Sequence, residues 1–160
     1  MVHSRIASSP SISSAPAGQH RGAAGGAGRA RWVLVALEVV VAVGAVYGGV
    51  GLIADDRIGI PSEWLRSTPF STWVWPGIFL LLIVAVPMAT AAVAEVLASR
   101  AAFALTMLAG TAQVGWIVVQ WLMVGHFFFL QPVMFVAGLL VMLIGWLVHR
   151  HAVGPMPRGM

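Results

Sequence analysis

The sequence predicts an all-α polytopic membrane protein, with four transmembrane helices in an antiparallel bundle and a disordered N-terminal tail. The composition is the first reason: of 160 residues, 59% are hydrophobic and only 9% are charged, against about 25% charged in a typical soluble domain. The second reason is that the apolar residues form stretches long enough to cross a ~30 Å hydrocarbon core. We therefore expect most of the outer surface to face the lipid bilayer.

The N-terminal residues 1–31 are rich in Ser, Ala, Gly, Pro and Arg, and their only large aliphatic side chains are Val2, Ile6 and Ile12. Such a segment buries too little apolar surface to offset the entropy lost on ordering. We expect it to be a disordered cytoplasmic tail. A cleaved signal peptide is the alternative, but the apolar stretch that follows is too long for the core of one.

The apolar stretches define the spans. The first stretch would form a helix of ~34 Å, which crosses the bilayer once. The next, residues 74–124, would measure ~76 Å as one helix and must turn back. Its charged residues are Glu95 and Arg100, which place the turn near residues 98–100. The predicted spans are residues 32–54, 74–97, 101–124 and 131–148, within a membrane domain of residues 32–149 that has an outer loop at 55–73 and is followed by a tail at 150–160.

The lengths of the connections predict the neighbours. Residues 98–100 and 125–130 are short connections, so the last three spans are expected to be sequential antiparallel neighbours. The first span is joined to the second by a longer loop, residues 55–73, and its placement is less constrained. Pro87 is expected to kink the second span, and the Gly44-xxx-Gly48 pattern to pack the first span closely within the bundle.

The arginines predict the orientation, because basic residues accumulate on the cytoplasmic side of a membrane protein. All nine basic residues are Arg. Those on the side of the chain termini are Arg5, Arg21, Arg29, Arg31, Arg100, Arg150 and Arg158, and those on the other side are Arg57 and Arg66. We expect a plasma (inner) membrane protein with both termini in the cytoplasm.

The sequence lacks the residues that several kinds of chemistry require. The absence of Cys excludes disulfides and thiol chemistry, and the arginines are scattered too widely to form a nucleic-acid-binding stripe. Asp55-Asp56 is interpreted as a solvated helix exit, because a calcium site needs more oxygen ligands. The sequence contains no nucleotide-binding loop or nucleophile elbow. We therefore expect no catalytic residue, no metal and no cofactor.

Glu38 is the most informative single residue. It lies inside the first span, where a carboxylate has to be paired, protonated or in contact with water. Thr90 and Thr106 lie at a similar depth in the second and third spans, and either could donate a hydrogen bond to it. The alternative is that Glu38 reaches the interface or meets Arg29 or Arg31.

A polar stripe runs along the third span. Gln113, Trp116 and Gln120 follow an i, i+3, i+7 spacing and share one helix face. Such a stripe faces other helices or a wet cavity rather than lipid. Interhelical hydrogen bonding is the simpler interpretation, and a substrate or proton path is the alternative. With Glu38, Thr90 and Thr106, the two glutamines make up a candidate intramembrane polar site.

The outer loop mixes aromatic and charged residues, as segments at a headgroup boundary do. It contains Trp64, Phe70 and Trp73. An interfacial lid that anchors the second span explains this composition. A gate or docking surface for an extracytoplasmic partner, formed by these three residues, is the alternative.

Motifs in and around this loop resemble those of a family. The residues concerned are Gly48-Gly49, Gly51-Leu52, Asp56, Gly59-Ile60-Pro61, Leu65, Thr68-Pro69-Phe70, Pro76-Gly77 and Gln131-Pro132. They look like those of the uncharacterised small four-helix integral membrane proteins of actinobacteria, over roughly residues 44–145. The resemblance implies a four-helix fold. It gives no indication of an activity.

For function, the sequence favours a non-enzymatic accessory or scaffold component of a membrane complex. Its expected partners are the lipid bilayer and either a larger complex or a second copy of the chain, with no nucleic acid. A small-solute or proton-coupled transporter using the intramembrane polar residues is the alternative. A membrane-embedded lipid-handling enzyme is a second alternative.

Overall fold

A computed structural model describes residues 20–54, 65, 68–124 and 129–150. Within these ranges the chain is helical and contains no strand. Four of its helical stretches are long and apolar enough to cross a membrane: Gly28–Ile53, Val74–Val96, Ala102–Met123 and Leu130–His149. The predicted all-α fold with four transmembrane helices is confirmed.

The helices are α1 (His20–Ile53), α2 (Val74–Leu80), α3 (Val86–Val96), α4 (Ala102–Val124) and α5 (Leu130–His149), with a π-helical segment at Leu81–Ala85. The second span consists of α2, the π-helical segment and α3. Because the chain crosses four times, the start of α1 and the end of α5 lie at the same end of the bundle as the turn between α3 and α4. We call this end the termini end and the opposite one the loop end.

The first helix begins earlier than the sequence predicted, at His20 rather than near Trp32. Helix elongation adds one hydrogen bond for each residue fixed, so a helix that is already formed extends easily. Residues 20–31 contain no proline to stop the helix, and their alanines and arginines favour it although their four glycines do not. The predicted tail therefore includes a helical part, while residues 1–19 and 151–160 lie outside the described residues.

The second span contains an irregularity next to Pro87, where the sequence predicted a kink. Proline has no N–H and cannot bond to the carbonyl four residues back. Just before it, the Val86 N–H bonds to the Leu81 carbonyl, five residues back, at the end of the π-helical segment. The disturbance takes the form of a π-helical turn, a common way to absorb an interruption of the helical ladder.

The turn between α3 and α4 lies where the charges predicted it. Ala98 has a φ of 53°, the left-handed conformation that commonly ends a helix. The Ser99 N–H reaches back to the Ala94 carbonyl at 2.9 Å and the Ala98 N–H to the Glu95 carbonyl at 3.1 Å, a Schellman arrangement. The Ser99 hydroxyl then accepts the Ala101 N–H at 3.2 Å and caps the start of α4.

The four spans form a ring in which each packs against its two neighbours. α4 packs on α3 and α5, as predicted, and α1 closes the ring between the second span and α5. The first and third spans therefore face each other across the axis of the bundle. The axis is filled by buried apolar side chains, among them Leu34, Val41, Val84, Met88, Ala109 and Val141.

Glycine sets the closest approach between the first two spans, although not at the predicted pattern. A Cβ on Gly77 would lie 2.7 Å from the Gly49 carbonyl oxygen, and one on Gly49 would lie 3.0 Å from the Gly77 oxygen. Gly44 is exposed and a Cβ there would meet nothing within 4 Å. Its partner in the pattern, Gly48, lies beside Leu80 at the edge of the contact. The Gly44-xxx-Gly48 pattern thus ends one residue before Gly49, the glycine that packs against the second span.

Candidate functional site

Glu38 faces the axis of the bundle near its termini end. Its side chain is 0% exposed, so the alternative that it reaches the interface does not hold. One carboxylate oxygen, Oε1, accepts a hydrogen bond from the Thr106 hydroxyl of α4 at 2.8 Å. The other, Oε2, is buried and has no hydrogen-bond partner among the described residues.

A second buried carboxylate, Glu95 of α3, contacts the same hydroxyl. It is 1% exposed, and its Oε1 lies 3.3 Å from the Thr106 oxygen. The same Oε1 lies 3.3 Å from His149 Nε2 of α5, while Oε2 lies 3.5 Å from Arg31 Nε of α1. These five residues (Arg31, Glu38, Glu95, Thr106 and His149) come from all four spans, and we call them the carboxylate cluster.

The hydrogen bonding within the carboxylate cluster requires a proton. A threonine hydroxyl has one hydrogen to donate, and an ionised carboxylate can only accept. Thr106 contacts an oxygen of each glutamate, so both contacts are hydrogen bonds only when one carboxyl group is protonated and donates to the threonine oxygen. Two buried negative charges would also repel each other across the Thr106 hydroxyl. The arrangement therefore suits one proton held between two carboxyl groups.

His149 connects this pair to the surface. Its Nδ1 lies 3.0 Å from the Gly145 carbonyl oxygen and its Nε2 faces Glu95. A neutral imidazole has only one N–H. Both contacts are therefore hydrogen bonds when the ring carries two protons, or when Glu95 donates to Nε2. The contacts thus form a continuous chain from the imidazole through Glu95 and Thr106 to Glu38.

Packing fixes the position of the threonine between the two glutamates. A Cβ on Gly145 of α5 would lie 2.6 Å from Thr106 Cγ2, so glycine allows α5 to approach α4 closely enough to support the hydroxyl. The His149 ring also packs against Phe103 of α4, with centroids 5.5 Å apart. The cluster is thus held by close contact between the last two spans.

The carboxylate cluster is accessible from the termini end and is closed by apolar side chains toward the loop end. The Arg31 and His149 side chains are 35% and 21% exposed, whereas Glu38 is fully buried. Toward the loop end, the same helix faces present Val41, Met88 and Ala109, all buried. We call these three residues the apolar layer.

Of the sequence-predicted partners of Glu38, the structure brings Thr106 to it and leaves Thr90 apart. Thr90 is exposed, and its hydroxyl donates to the Pro87 carbonyl at 2.8 Å on its own helix, a common local bond for threonine. Gln113 is buried and donates from Nε2 to the Met134 carbonyl of α5 at 3.3 Å. Gln120 is half-buried. The glutamines lie about two or more helical turns beyond Thr106, so they are not part of the carboxylate cluster.

Two members of the cluster were missed by sequence reasoning. In the sequence Glu95 serves only to place the turn, and His149 lies just beyond the predicted last span, residues 131–148. A signal for Glu95 exists: once the hairpin turn is fixed near residues 98–100, Glu95 and Thr106 stand at similar distances from it on neighbouring helices. His149 carries no comparable signal, because its helix face follows from packing alone.

Phe70 and Trp73, the aromatic residues of the outer loop that the structure describes, are both partly buried. The Phe70 ring lies 6.0 Å from that of Phe79 in α2, which lies 6.4 Å from that of Trp116 in α4. Trp73 is half-buried and its Nε1 is enclosed. Trp64 lies outside the described residues. These contacts suit the lid interpretation better than an exposed docking surface for Phe70 and Trp73.

Comparison of the chain with protein-family models, curated proteins and solved structures finds no match in any of the three. The resemblance to small four-helix proteins of actinobacteria therefore stays a prediction. Function has to be argued from the geometry of the site.

Proposed function

We propose that this chain is a proton-coupled membrane transport component that binds one proton at Glu38. The observation that supports this proposal is the single Thr106 hydroxyl between two buried carboxyl groups, 2.8 Å from Glu38 and 3.3 Å from Glu95. Ionisable side chains inside a membrane span are costly, and they commonly serve ion or proton pathways.

The closure of the cluster on one side supports transport over simple proton leakage. An alternating-access transporter needs a site near the interior that is reached from one side of the membrane at a time. Arg31 and His149 connect the cluster to the termini end, and the apolar layer separates it from the loop end. A change in the packing of the spans around the apolar layer would open the other side.

The proposal includes an orientation, with both termini in the cytoplasm of a cell whose plasma membrane holds the protein. The distribution of arginines supports it. We expect a fluorescent reporter that matures only in the cytoplasm to be active when fused after Met160, and alkaline phosphatase to be inactive there. Phosphatase activity at that position would contradict the orientation and would reverse the side from which the proton binds.

The proton-binding role is tested by Glu38→Gln, which keeps the size of the side chain and removes the titratable group. Proteoliposomes containing the protein are adsorbed on a solid-supported membrane and exposed to a sudden change of pH, with no solute present. We expect the wild type to give a transient displacement current as the proton binds. We expect Glu38→Gln to reduce that current to the level of empty liposomes.

Glu63, the glutamate that is not part of the carboxylate cluster, provides a matched control. Glu63→Gln makes the same chemical change in the loop that connects the first two spans, and we expect its current to equal that of the wild type. A wild type without a transient current, or a Glu38→Gln variant that keeps it, would exclude the proposed function.

An accessory role in a membrane complex is the second candidate, and one observation favours it. Only 17% of the most apolar window of α5 is buried, less than in any of the other three spans, so this helix offers a large apolar face to lipid or to a partner helix. An accessory protein would give no displacement current. For a lipid-handling enzyme, the larger of the two described grooves lacks a polar lining, since it is bordered by apolar residues such as Val39, Val46 and Ala89.

A further inference from the structure

We propose that the middle of the bundle contains a binding site for one water molecule between Gln113 and Trp116 of α4. Both side chains are at least nine-tenths buried, with exposures of 2% and 9%. Gln113 Oε1, an acceptor, and Trp116 Nε1, a donor, have no hydrogen-bond partner among the described residues. A small molecule that donates to the amide oxygen and accepts from the indole N–H can give both atoms a hydrogen bond.

The amide of Gln113 is oriented by its other end. Its Nε2 donates to the Met134 carbonyl at 3.3 Å, which identifies the remaining amide atom as the oxygen. On the α5 side the amide stem is held closely, because a Cβ on Gly138 would lie 2.9 Å from Gln113 Cγ. The oxygen is therefore held in place.

The indole of Trp116 is held by aromatic packing, with its ring centroid 6.4 Å from that of Phe79. Residues three apart on a helix have Cβ atoms about 5–6 Å from each other. Gln113 and Trp116 have this spacing on α4. Both side chains therefore start from neighbouring positions on one face of α4.

Water has the size and the hydrogen-bonding capacity that this place requires. A buried water is stable where it finds two or more polar partners, and here it accepts from the indole N–H and donates to the amide oxygen. Leaving both atoms unpaired would cost free energy at each of them. The site lies on the loop-end side of the apolar layer and holds whether or not Glu38 binds a proton.

The test uses the full-length protein in lipid nanodiscs, with ¹⁵N in the tryptophan indole groups. The Trp116 resonance is assigned by its loss in Trp116→Phe. We expect the Trp116 indole proton to show a cross-relaxation peak with water, and we expect Gln113→Met to remove or strongly weaken it. Gln120→Met is the matched control on the same helix and should leave the peak unchanged.

Two outcomes would overturn the proposal. The first is a wild-type Trp116 indole proton without a water peak, a result that does not depend on any variant folding. The second is a peak of equal intensity in Gln113→Met. Neither result bears on the displacement current, so failure of the water site and failure of the proton-binding role are distinguishable.

Discussion

Gly77→Ala is expected to destabilise the bundle, whereas Gly44→Ala is expected to be neutral or slightly stabilising. Both substitutions gain up to about 1 kcal/mol of helix propensity over glycine. At Gly77 the new Cβ would lie 2.7 Å from the Gly49 carbonyl oxygen and 3.1 Å from Leu52 Cβ, so α1 and α2 have to separate. Overpacking of this kind costs about 1–3 kcal/mol.

The difference between the two alanine variants isolates the clash, since the change in propensity is common to both. It is measured as the difference in free energy of unfolding during titration with sodium dodecyl sulfate in mixed micelles, followed by circular dichroism. Equal free energies of unfolding for the two variants would show that Gly49 and Gly77 do not form the contact between the first two spans.

Thr106→Val is also expected to destabilise the bundle strongly. Valine has nearly the same shape and lacks the hydroxyl, so Glu38 loses its hydrogen bond and keeps no polar partner among the described residues. Leaving a buried polar group unsatisfied costs about 1–3 kcal/mol. Thr106→Ser, which keeps the hydroxyl, should lose much less stability in the same unfolding titration.

A double-mutant cycle separates the hydrogen bond from changes in packing. In a Glu38→Leu background the Glu38 carboxyl group is already gone, so Thr106→Val should cost less there, because only the 3.3 Å contact with Glu95 is left to lose. We expect a coupling free energy of about 0.5 kcal/mol or more between the two positions, as for other residues in direct contact. Additive effects would show that the Thr106 hydroxyl does not stabilise the bundle through its contact with Glu38.

The contrast between Thr90 and Thr106 shows which features of the fold can be predicted from the sequence and which cannot. Span lengths and the hairpin turn follow from hydrocarbon thickness and from two charged residues, and the structure agrees except at the first helix, which begins at His20. Which face of each helix points inward does not follow, because spans that are apolar on all sides lack the amphipathic pattern that marks the buried face of a soluble helix. Depth alone made the two threonines equivalent candidates, and packing decided between them.

The same limit applies to Glu95, His149 and the close contact at Gly49. Glu95 is one residue from the end of α3, a position at which a solvated carboxylate is equally plausible from sequence. Its burial depends on Arg31 and His149, which lie on the first and last spans. Contacts between the ends of a chain have no local signal, so the carboxylate cluster could be predicted only in part.

The carboxylate cluster also has a consequence for biosynthesis. The Thr106 hydroxyl that Glu38 contacts lies 68 residues farther along the chain, so the first helix leaves the ribosome before its partner exists. His149, which neighbours Glu95, is translated later still. Glu38 is thus translated well before Thr106, and the carboxylate cluster around it is complete only after the last helix has joined the others.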